Sequence, residues 1–499
     1  MLQKNIAGVL AVVLVLALPT KPIHAEPWAA VGDHVLRSDI EILAARGLIT
    51  GLVTTWPIPA GQLRTLSGDP RLAQEPEYVR LAAGRVLAYL SGPTGAGEAT
   101  GVIDARLTNS PDTVRDFGTL ARNQVDVRAG VDWNNDTGGA SLRVGVQSRA
   151  DGKEKKASLD GSTVSGVWDN VKFYGGWVDQ WYGPGWDSSL ILSNNARPFP
   201  KIGFMRENPK AFETPWLSWI GPWQANFFVG VLDGPRTATN TGIGSLRLTF
   251  APIHGLEIAL TRLTEFCGKG HPCHPFSAAF HFRNDDKSPN ETNDEASIEF
   301  KGTASIGDWV ISPYIQFMNE DTGPFAHAVT SYLAGSSSAG PLGNDGAHWR
   351  LTAEFSDTVA TLNWFDFGNV VHGGAYNNTD YVDGFRYRDR TTGFSLDSDS
   401  RLLSLIGQLT NTQGWTYRAI YRHAKISTSQ LALQQSAGGQ YNVVSSRPVT
   451  LDQAELGLSI PYHWYTIDFA VRGQDGLPVP VQGVKGDKLA AEVGIVYKF

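Results

Sequence analysis

Apolar and polar side chains alternate strictly along most of the chain from about residue 123 to its end. In QVDVRAGVDW, polar residues and glycine occupy one face, and the other face carries Val125, Val127, Ala129, Val131 and Trp133. The final segment, LAAEVGIVYKF, keeps this alternation to the last residue. A period of two gives a β-strand one dry face and one wet face. This region is therefore predicted to be a large antiparallel β-structure.

The number and spacing of the alternating segments favour a barrel. About seventeen such segments are recognisable, and because single-chain bacterial barrels have an even number of strands we expect about 18. Short turns such as APIHG and IPYH alternate with long polar insertions at about 267–295, 321–347, 369–381 and 425–450. Short turns on one rim and long loops on the other are typical of outer-membrane barrels. A chain that stops inside a strand is expected where the last strand pairs with the first.

The pattern near the N-terminus is helical. DHVLRSDIEILAARGLITG and EPEYVRLAAGRVLAYL place apolar residues three and four positions apart. Ahead of them, the apolar run Ile6–Leu18 is too short for a membrane-spanning helix and fits a secretory signal. We predict a signal peptide at 1–25, a periplasmic helical domain at 26–118 and an outer-membrane β-barrel at 119–499.

Composition narrows the class of protein further. No later stretch approaches the roughly 20 consecutive apolar residues of a transmembrane helix, so the exported chain is predicted to be soluble or a β-barrel. The formal net charge of −7 argues against a nucleic-acid partner. The aromatic residues and 54 glycines favour a large β-structure with many turns.

Two cysteines, Cys267 and Cys273, lie in the segment FCGKGHPCH. In an oxidising compartment we expect a disulfide that closes this small loop. The alternative is a metal site completed by His271 and His274, but the spacing matches no standard zinc pattern. We therefore predict no metal and no cofactor.

No motif indicates an enzyme. The chain contains no nucleophile elbow, no HExxH helix and no phosphate-binding loop. Acidic pairs such as Asp285 with Asp286 and Asp294 with Glu295 are present, but a glycosidase needs two carboxylates at a set spacing across a cleft. A hydrolase is the least supported alternative.

One long segment is distinctive. It begins WYGPGWDSSLILSNNARPFP at Trp181 and continues through PWLSWIGPW to FFVGVLDG. This ordered string closely resembles the core signature of the capsule assembly protein Wzi family. LRSDIEILAARGLITG and TTWPIPAG resemble the N-terminal helical region of the same family, so the resemblance covers essentially the whole mature chain.

The resemblance implies an outer-membrane barrel of about 18 strands with a small helical bundle at its periplasmic end. It also implies a lectin-like protein, not an enzyme, that binds capsular or exopolysaccharide and helps attach or assemble it at the cell surface. The partners expected are this polysaccharide and outer-membrane lipid, and the chain is expected to be monomeric. The cysteine pair and the outer loops depart from the best-known members, so the identity of the glycan does not carry over.

Sugar rings stack on aromatic side chains while amides, carboxylates and arginine bind the hydroxyls. The distinctive segment offers such groups in Trp181, Tyr182, Asp187, Asn194, Asn195 and Arg197. We favour a structural role for that segment, with Gly183-Pro184-Gly185 as a tight bend. Loops carry function more often, so we prefer the glycan-binding candidates of the long insertions, which are His372, Tyr376, Asn377, Asn378, Asp380, Tyr381, Tyr441 and Asn442.

A diffusion porin is the main alternative from another class. The wet strand faces include arginines that would line a channel, namely Arg247, Arg350, Arg418 and Arg422. The helical domain argues against this interpretation, because it would block the periplasmic end.

Overall fold

Eighteen strands dominate the described part of the chain and close into one antiparallel barrel, which confirms the predicted fold. The computed structural model describes residues 26–92, 97–118, 121–135, 137–148, 157–273, 292–320, 328–429, 441–480 and 486–499. The predicted signal peptide lies outside these ranges. The last strand of the barrel pairs with the first in an antiparallel register. This pairing runs from Glu492 opposite Thr108 to Lys498 opposite Val102 and closes the barrel.

The barrel strands are numbered β1 to β18 in chain order. They are Ala99–Thr108, Val125–Asn135, Gly138–Gln147, Thr163–Trp168, Val171–Gly176, Lys201–Arg206, Trp223–Leu232, Thr241–Ile253, Leu256–Phe266, Asn293–Gly302, Trp309–Glu320, Val329–Pro341, His348–Thr361, Arg401–Thr410, Thr416–Ile426, Val449–Tyr462, Tyr465–Asp475 and Leu489–Lys498. Short strands at Ala157–Ser158, Ala304–Ile306 and Val370–Val371 pair with them. Two-residue strands outside the barrel are Trp28–Ala29, Thr55–Trp56, Ile58–Pro59, Trp181–Tyr182, Arg386–Tyr387 and Arg390–Thr391.

The apolar face of the strands points outwards and the polar face points into the lumen. In β2, Val131 and Trp133 are exposed on the outer wall, whereas Asp132 and Asn134 are buried inside. In β13, Leu351 is exposed and Arg350 is buried. This arrangement is the reverse of a soluble protein and suits a wall that contacts hydrocarbon.

The barrel begins before the predicted domain boundary at residue 118, which is therefore wrong. Strand β1 lies inside the segment assigned to the helical domain. Its alternation is short, with Ile103 facing outwards and Asp104 and Arg106 facing the lumen. One of its two neighbours is the last strand of the chain, so no local hairpin marks it in the sequence.

The prediction that 321–347 is a long polar insertion is also wrong, because this range contains β12. SYLAGSSSAG is built from small residues and shows little hydrophobic alternation. Its pairing with β11 and β13 specifies it as a strand. A side chain at Gly335 would lie 2.7 Å from the Tyr314 ring, so packing in the lumen requires a small residue there. The insertion predicted at 369–381 is the centre of a longer connection between β13 and β14.

Three α-helices and three 3-10 helices complete the described structure. The helices are α1 His34–Ala45, α2 Ala60–Leu63 and α3 Glu77–Ser91, and the 3-10 helices are Arg64–Leu66, Pro70–Gln74 and Ser218–Ile220. The side chain of Asp33 caps α1 by accepting hydrogen bonds from the N–H groups of Val35 and Leu36. None of the described helices is long and apolar enough to span a membrane.

The helical domain closes the rim that has short turns. Leu43 of α1 and Val79 of α3 belong to one hydrophobic core. The domain meets the turn between β10 and β11, where Ser305 Oγ donates to Ala45 O (2.9 Å) and Tyr78 Oη donates to Asp308 O (2.6 Å). The N-terminal residues are therefore part of the barrel assembly.

Candidate functional site

The first part of the distinctive segment, residues 181–199, lies in the lumen and is buried throughout, and we call it the lumen segment. Trp181 and Tyr182 pair with Trp56 and Thr55 in a small sheet. The ring of Trp186 lies between two guanidinium groups, 4.5 Å from Arg37 Cζ and 4.7 Å from Arg350 Cζ. This segment therefore joins α1 to the barrel wall.

Asp187 forms the centre of a buried charge network. Its Oδ1 accepts a hydrogen bond from Arg422 Nη2 (2.6 Å), and Ser404 Oγ donates to its Oδ2. Arg422 also contacts Asp112 and Asp116 in the connection after β1. Removing a buried charge from its partner is costly, so Asp187 holds the segment in the lumen.

The amides of the same segment also bind protein groups. Asn194 Nδ2 donates to Phe117 O and Gly118 O, and Asn195 Nδ2 donates to Thr391 O (3.0 Å). Arg197 pairs with Asp160 at 2.9 Å. All six candidates in this segment are buried, namely Trp181, Tyr182, Asp187, Asn194, Asn195 and Arg197. Glycan contact by these residues stays a prediction, and their burial favours the structural role.

Helix α1 fills the lumen from the short-turn rim with a second charge network. Glu41 lies 3.0 Å from Lys301 Nζ and accepts hydrogen bonds from Arg37 Nε (3.1 Å) and Arg350 Nη1 (3.4 Å). Burial alone raises the pKa of the Glu41 carboxyl, but these three cations outweigh burial and hold the pKa at about 2. Ionised Glu41 therefore ties α1 to the wall.

The four arginines expected to line a channel are bound to other side chains of the protein. Arg247 binds Glu299 (2.7 and 2.8 Å) and Thr54, Arg350 binds Ser38, and Arg418 binds Asp116 (2.6 Å). With Arg422 engaged by Asp187, all four bind other side chains of the plugged lumen.

The connection 372–400 and residues 441–448 cover the opposite end of the lumen, and we call them the lid. Its centre is Arg386, which donates to Asp397 Oδ1 (2.6 Å) and Tyr441 O (3.1 Å) and lies 4.3 Å from the Tyr441 ring centroid. Its Nη2 also donates to Asn377 Oδ1, and its Nη1 donates to Tyr376 O. Burial lowers the pKa of Arg386, but Asp397 and Tyr441 raise it above its usual value. Sequence reasoning missed Arg386, because FRYRDR, the stretch that contains it, matches no functional motif.

Four candidates in the lid are buried as parts of its framework, namely Tyr376, Tyr381, Tyr441 and Asn442. Tyr376 Oη donates to Leu190 O in the lumen segment and accepts from the N–H of Phe394. Asn442 Nδ2 donates to Ser398 O (2.6 Å). Burial raises the pKa of the Tyr376 hydroxyl well above its usual value, which keeps it a donor. Their expected contact with glycan stays a prediction that burial does not favour.

The outer surface of the lid presents the remaining candidates. His372 is 45% exposed and its Nδ1 lies 2.6 Å from Asp399 Oδ1. Asn378 Oδ1 accepts the N–H groups of Asp380 (2.9 Å) and Tyr381 (3.0 Å), and this turn leaves the Asp380 side chain in solvent. We call His372, Asn378 and Asp380 the outer patch. Asn377 and Asn378 are both half-buried, but the side chain of Asn377 is bound to Arg386.

The two cysteines are joined and support the lid. The Cys267–Cys273 bond closes a loop whose His271 ring stacks on Tyr381, with centroids 4.2 Å apart. Tyr381 Oη donates to Cys267 O (3.1 Å). The disulfide replaces the alternative metal site, and His274 lies outside the described residues.

The closed strand order, the apolar outer wall and the plugged lumen define the class, a β-barrel of the type found in bacterial outer membranes. Residues 98–476 match the model of the capsule assembly protein Wzi family. The chain belongs to that family, as its sequence signature predicted.

Two relatives show how far this similarity extends. An uncharacterized 55.8 kDa protein in the cps region of Klebsiella pneumoniae is 28% identical over 348 residues, which is 67% of each chain. The solved structure of Wzi from Escherichia coli superposes with a TM-score of 0.79 at 21% identity, and the match covers 94% of this chain and 99% of that one. That protein is described as an outer membrane protein involved in group 1 capsule assembly and a carbohydrate-binding β-barrel.

Proposed function

We propose that this protein is an outer-membrane, lectin-like receptor that binds capsular or exopolysaccharide and helps attach or assemble it at the cell surface. The observation that carries the proposal is a lumen filled from both ends beneath an exposed polar lid. Membership of the Wzi family supports it, and so does the carbohydrate binding described for the Escherichia coli relative.

The outer patch of the lid carries side chains that can bind a polysaccharide. Asp380 supplies acceptors for sugar hydroxyls, and Asn378 supplies an amide that can donate. His372 adds a flat ring whose orientation is set by Asp399. A long polymer reaches such a surface without entering the barrel.

The filled lumen distinguishes this proposal from a diffusion porin. Trp186, Asp187 and Glu41 occupy the positions that a solute would need, and each is held by buried partners. We expect no conductance in single-channel recordings of the purified protein in planar bilayers. Steady, stepwise conductance would favour the porin.

A hydrolase gains no support from the described carboxylates. Asp294 pairs with Arg262 at 2.7 Å, Asp187 pairs with Arg422, and Glu354 accepts the N–H of Trp186, all in the buried lumen. We expect the purified protein to leave the polysaccharide at its original length, as measured by size-exclusion chromatography.

Deletion of the gene tests the proposed function in the cell. We expect polysaccharide to be released into the medium while its total synthesis continues, because attachment rather than synthesis is lost. Unchanged cell-bound polysaccharide in the deletion strain would contradict the proposal.

We also infer that the outer wall contacts lipid and that the protein is a monomer. Light scattering of the detergent-solubilised protein measures its oligomeric state.

A further inference from the structure

The tip of the hairpin between β13 and the short strand Val370–Val371 lies on the outside of the barrel. We call this tip, residues 362–369, the flap. The N–H of Leu362 donates to Asn369 O (2.9 Å) and closes the flap. Its sequence, LNWFDFGN, contains three aromatic residues. The lid begins directly after this hairpin, at His372.

The aromatic rings of the flap pack on side chains that face away from the lumen. Phe317 of β11 and Tyr332 of β12 are opposed in register. Gln316 donates a hydrogen bond to the lumen segment, so its neighbour Phe317 points to the other face of the wall. Trp364 stacks on Phe317 with ring centroids 4.7 Å apart, and the ring of Phe367 lies 5.3 Å from that of Tyr332. The flap therefore bends outwards and covers the outer wall.

Hydrogen bonds fix the flap in this position. The N–H of Phe365 donates to Tyr332 Oη (3.0 Å), and Trp364 Nε1 donates to Asn319 Oδ1 (3.2 Å). Phe365 has a φ of 59°, in the left-handed region that is costly for a bulky residue. The contacts of the flap with β11 and β12 therefore hold its backbone in a conformation that an isolated loop would avoid.

This fixed flap exposes large apolar side chains. Phe365 is 61% exposed and Phe367 is 66% exposed, and half of the Leu362 side chain is also accessible. Together these side chains present on the order of 400 Å² of apolar surface. A stable protein–protein interface needs about 800 Å² from each partner. The exposed surface is therefore too small for a second copy of the chain, and it continues the apolar outer wall.

The charged residues of the outer wall mark the height of the flap. Tyr332 is in register with Asp357 of β13, which pairs with Arg401 of β14 at 2.9 Å. Phe355, the preceding outward-facing residue of β13, is an exposed apolar side chain. At the same end of the wall, Asp475 of β17 is 78% exposed. The apolar band of the wall therefore ends at the level of the flap.

The opposite edge of the band gives a consistent height. Trp309 of β11 is exposed at the short-turn rim, and Phe317 follows eight residues later on the same strand. For a strand tilted by about 40°, this separation corresponds to about 20 Å along the membrane normal. The apolar band of an outer-membrane barrel is about 25 Å tall and has aromatic side chains at both edges. The flap is therefore at the edge that meets the outer leaflet.

We propose that the flap is a lipid anchor, in which the Phe365 and Phe367 rings insert among the acyl chains of the outer leaflet just below the headgroups. The anchor would hold the near end of the lid, which begins at His372, at a fixed height above the membrane. This proposal rests on the location of the protein in the outer membrane and not on polysaccharide binding.

Fluorescence quenching by lipid tests the anchor in the full-length protein. Phe367→Cys is labelled with an environment-sensitive fluorophore and reconstituted into phosphatidylcholine vesicles that contain nitroxide-labelled lipid. We expect at least about twofold stronger quenching than for the same label at Thr379→Cys, an exposed position of the lid. Leu405→Cys is the wall control, because Leu405 is exposed on β14 opposite Ala353, halfway along the apolar band. A nitroxide near the headgroup should quench the label at 367 more strongly, and one near the end of the acyl chain should quench the label at 405 more strongly.

Two results would overturn the proposal. Quenching of the label at 367 by aqueous iodide to the same extent as at Thr379→Cys would place the flap in water. A blue-shifted emission that neither iodide nor nitroxide lipid quenches would show that protein covers the flap. Phe365→Cys provides a second exposed position for the same measurements and decides the question should the label at 367 prevent folding.

Discussion

The lumen segment at 181–199 and the lid at 372–400 and 441–448 are built from the same kinds of side chain, but they differ in what those side chains contact. Both combine aromatic rings with amides and acids. In the lumen segment every candidate is buried, as with Asp187 on Arg422 and Asn195 on Thr391. In the lid, a buried framework around Arg386 carries a thin exposed surface.

This difference distinguishes side chains that can bind a polysaccharide from side chains that only pack inside the protein. A buried ring or amide that already has a protein partner stabilises the barrel, and only an exposed group is available to a polymer. The candidate site is therefore the outer patch of His372, Asn378 and Asp380, which is smaller than the set of loop residues predicted from the sequence.

Trp186→Ala should produce the largest effect on stability. The change removes a buried ring from between Arg37 and Arg350, and we expect a loss of about 3–5 kcal/mol in the free energy of unfolding. Urea titration of the protein in lipid vesicles measures it. Trp216→Ala is the control, because Trp216 is 72% exposed, and an equal loss in both variants would contradict a packing role for Trp186.

Acid should weaken the attachment of α1. The pKa of Glu41 is about 2, below its ordinary value of 4.5, so its stabilisation is complete above pH 4.5 and is lost as pH falls towards 2. The shift corresponds to about 3 kcal/mol. We expect the decline in stability between pH 4.5 and 2 to be shallower in Glu41→Gln than in the wild type. Glu77→Gln, at a solvent-exposed pair with Arg80, should keep the wild-type slope.

Tyr376→Phe should have an intermediate effect in the lid. It keeps the ring but leaves Leu190 O and the N–H of Phe394 without their partner, and we expect a loss of about 1–3 kcal/mol. Hydrogen exchange measured by mass spectrometry should show faster exchange at 372–400 and unchanged exchange in β1. Protection equal to that of the wild type would show that the hydroxyl does not fasten the lid.

Asp380→Ala should have the smallest effect on stability, within about 0.5 kcal/mol, because the side chain is exposed. Thermal unfolding of the variant beside Asp475→Ala tests this expectation. A large drop in Tm for Asp380→Ala alone would place Asp380 in the lid framework instead of the outer patch.

The barrel could be predicted from sequence because alternation with a period of two is a local property of each strand. The exceptions have physical causes. In β12, small residues such as Ser336 and Gly335 weaken the alternation, and β1 pairs with a strand from the far end of the chain. The local pattern of apolar and polar residues cannot show how β12 or β1 pairs with its neighbours.

The site was predicted less well, because long connections fold back onto the lumen. Tyr376 and Tyr441 lie in polar segments that indicate exposed loops, yet both are buried around Arg386. No local pattern shows that Asn195 contacts Thr391 across the chain. The disulfide was predictable, since Cys267 and Cys273 are close in sequence and are the two cysteines of the chain.

The most direct test of the central claim is the affinity of the purified full-length protein for the capsular polysaccharide of its source strain. The variant that combines His372→Ala, Asn378→Ala and Asp380→Ala should bind at least about tenfold more weakly. Its Tm should fall modestly, because Asn378 and His372 each lose hydrogen bonds in the lid, but the variant should stay folded at the temperature of the binding assay. Asp475→Ala should bind normally. An unchanged affinity in the combined variant would contradict a polysaccharide site on the outer face of the lid.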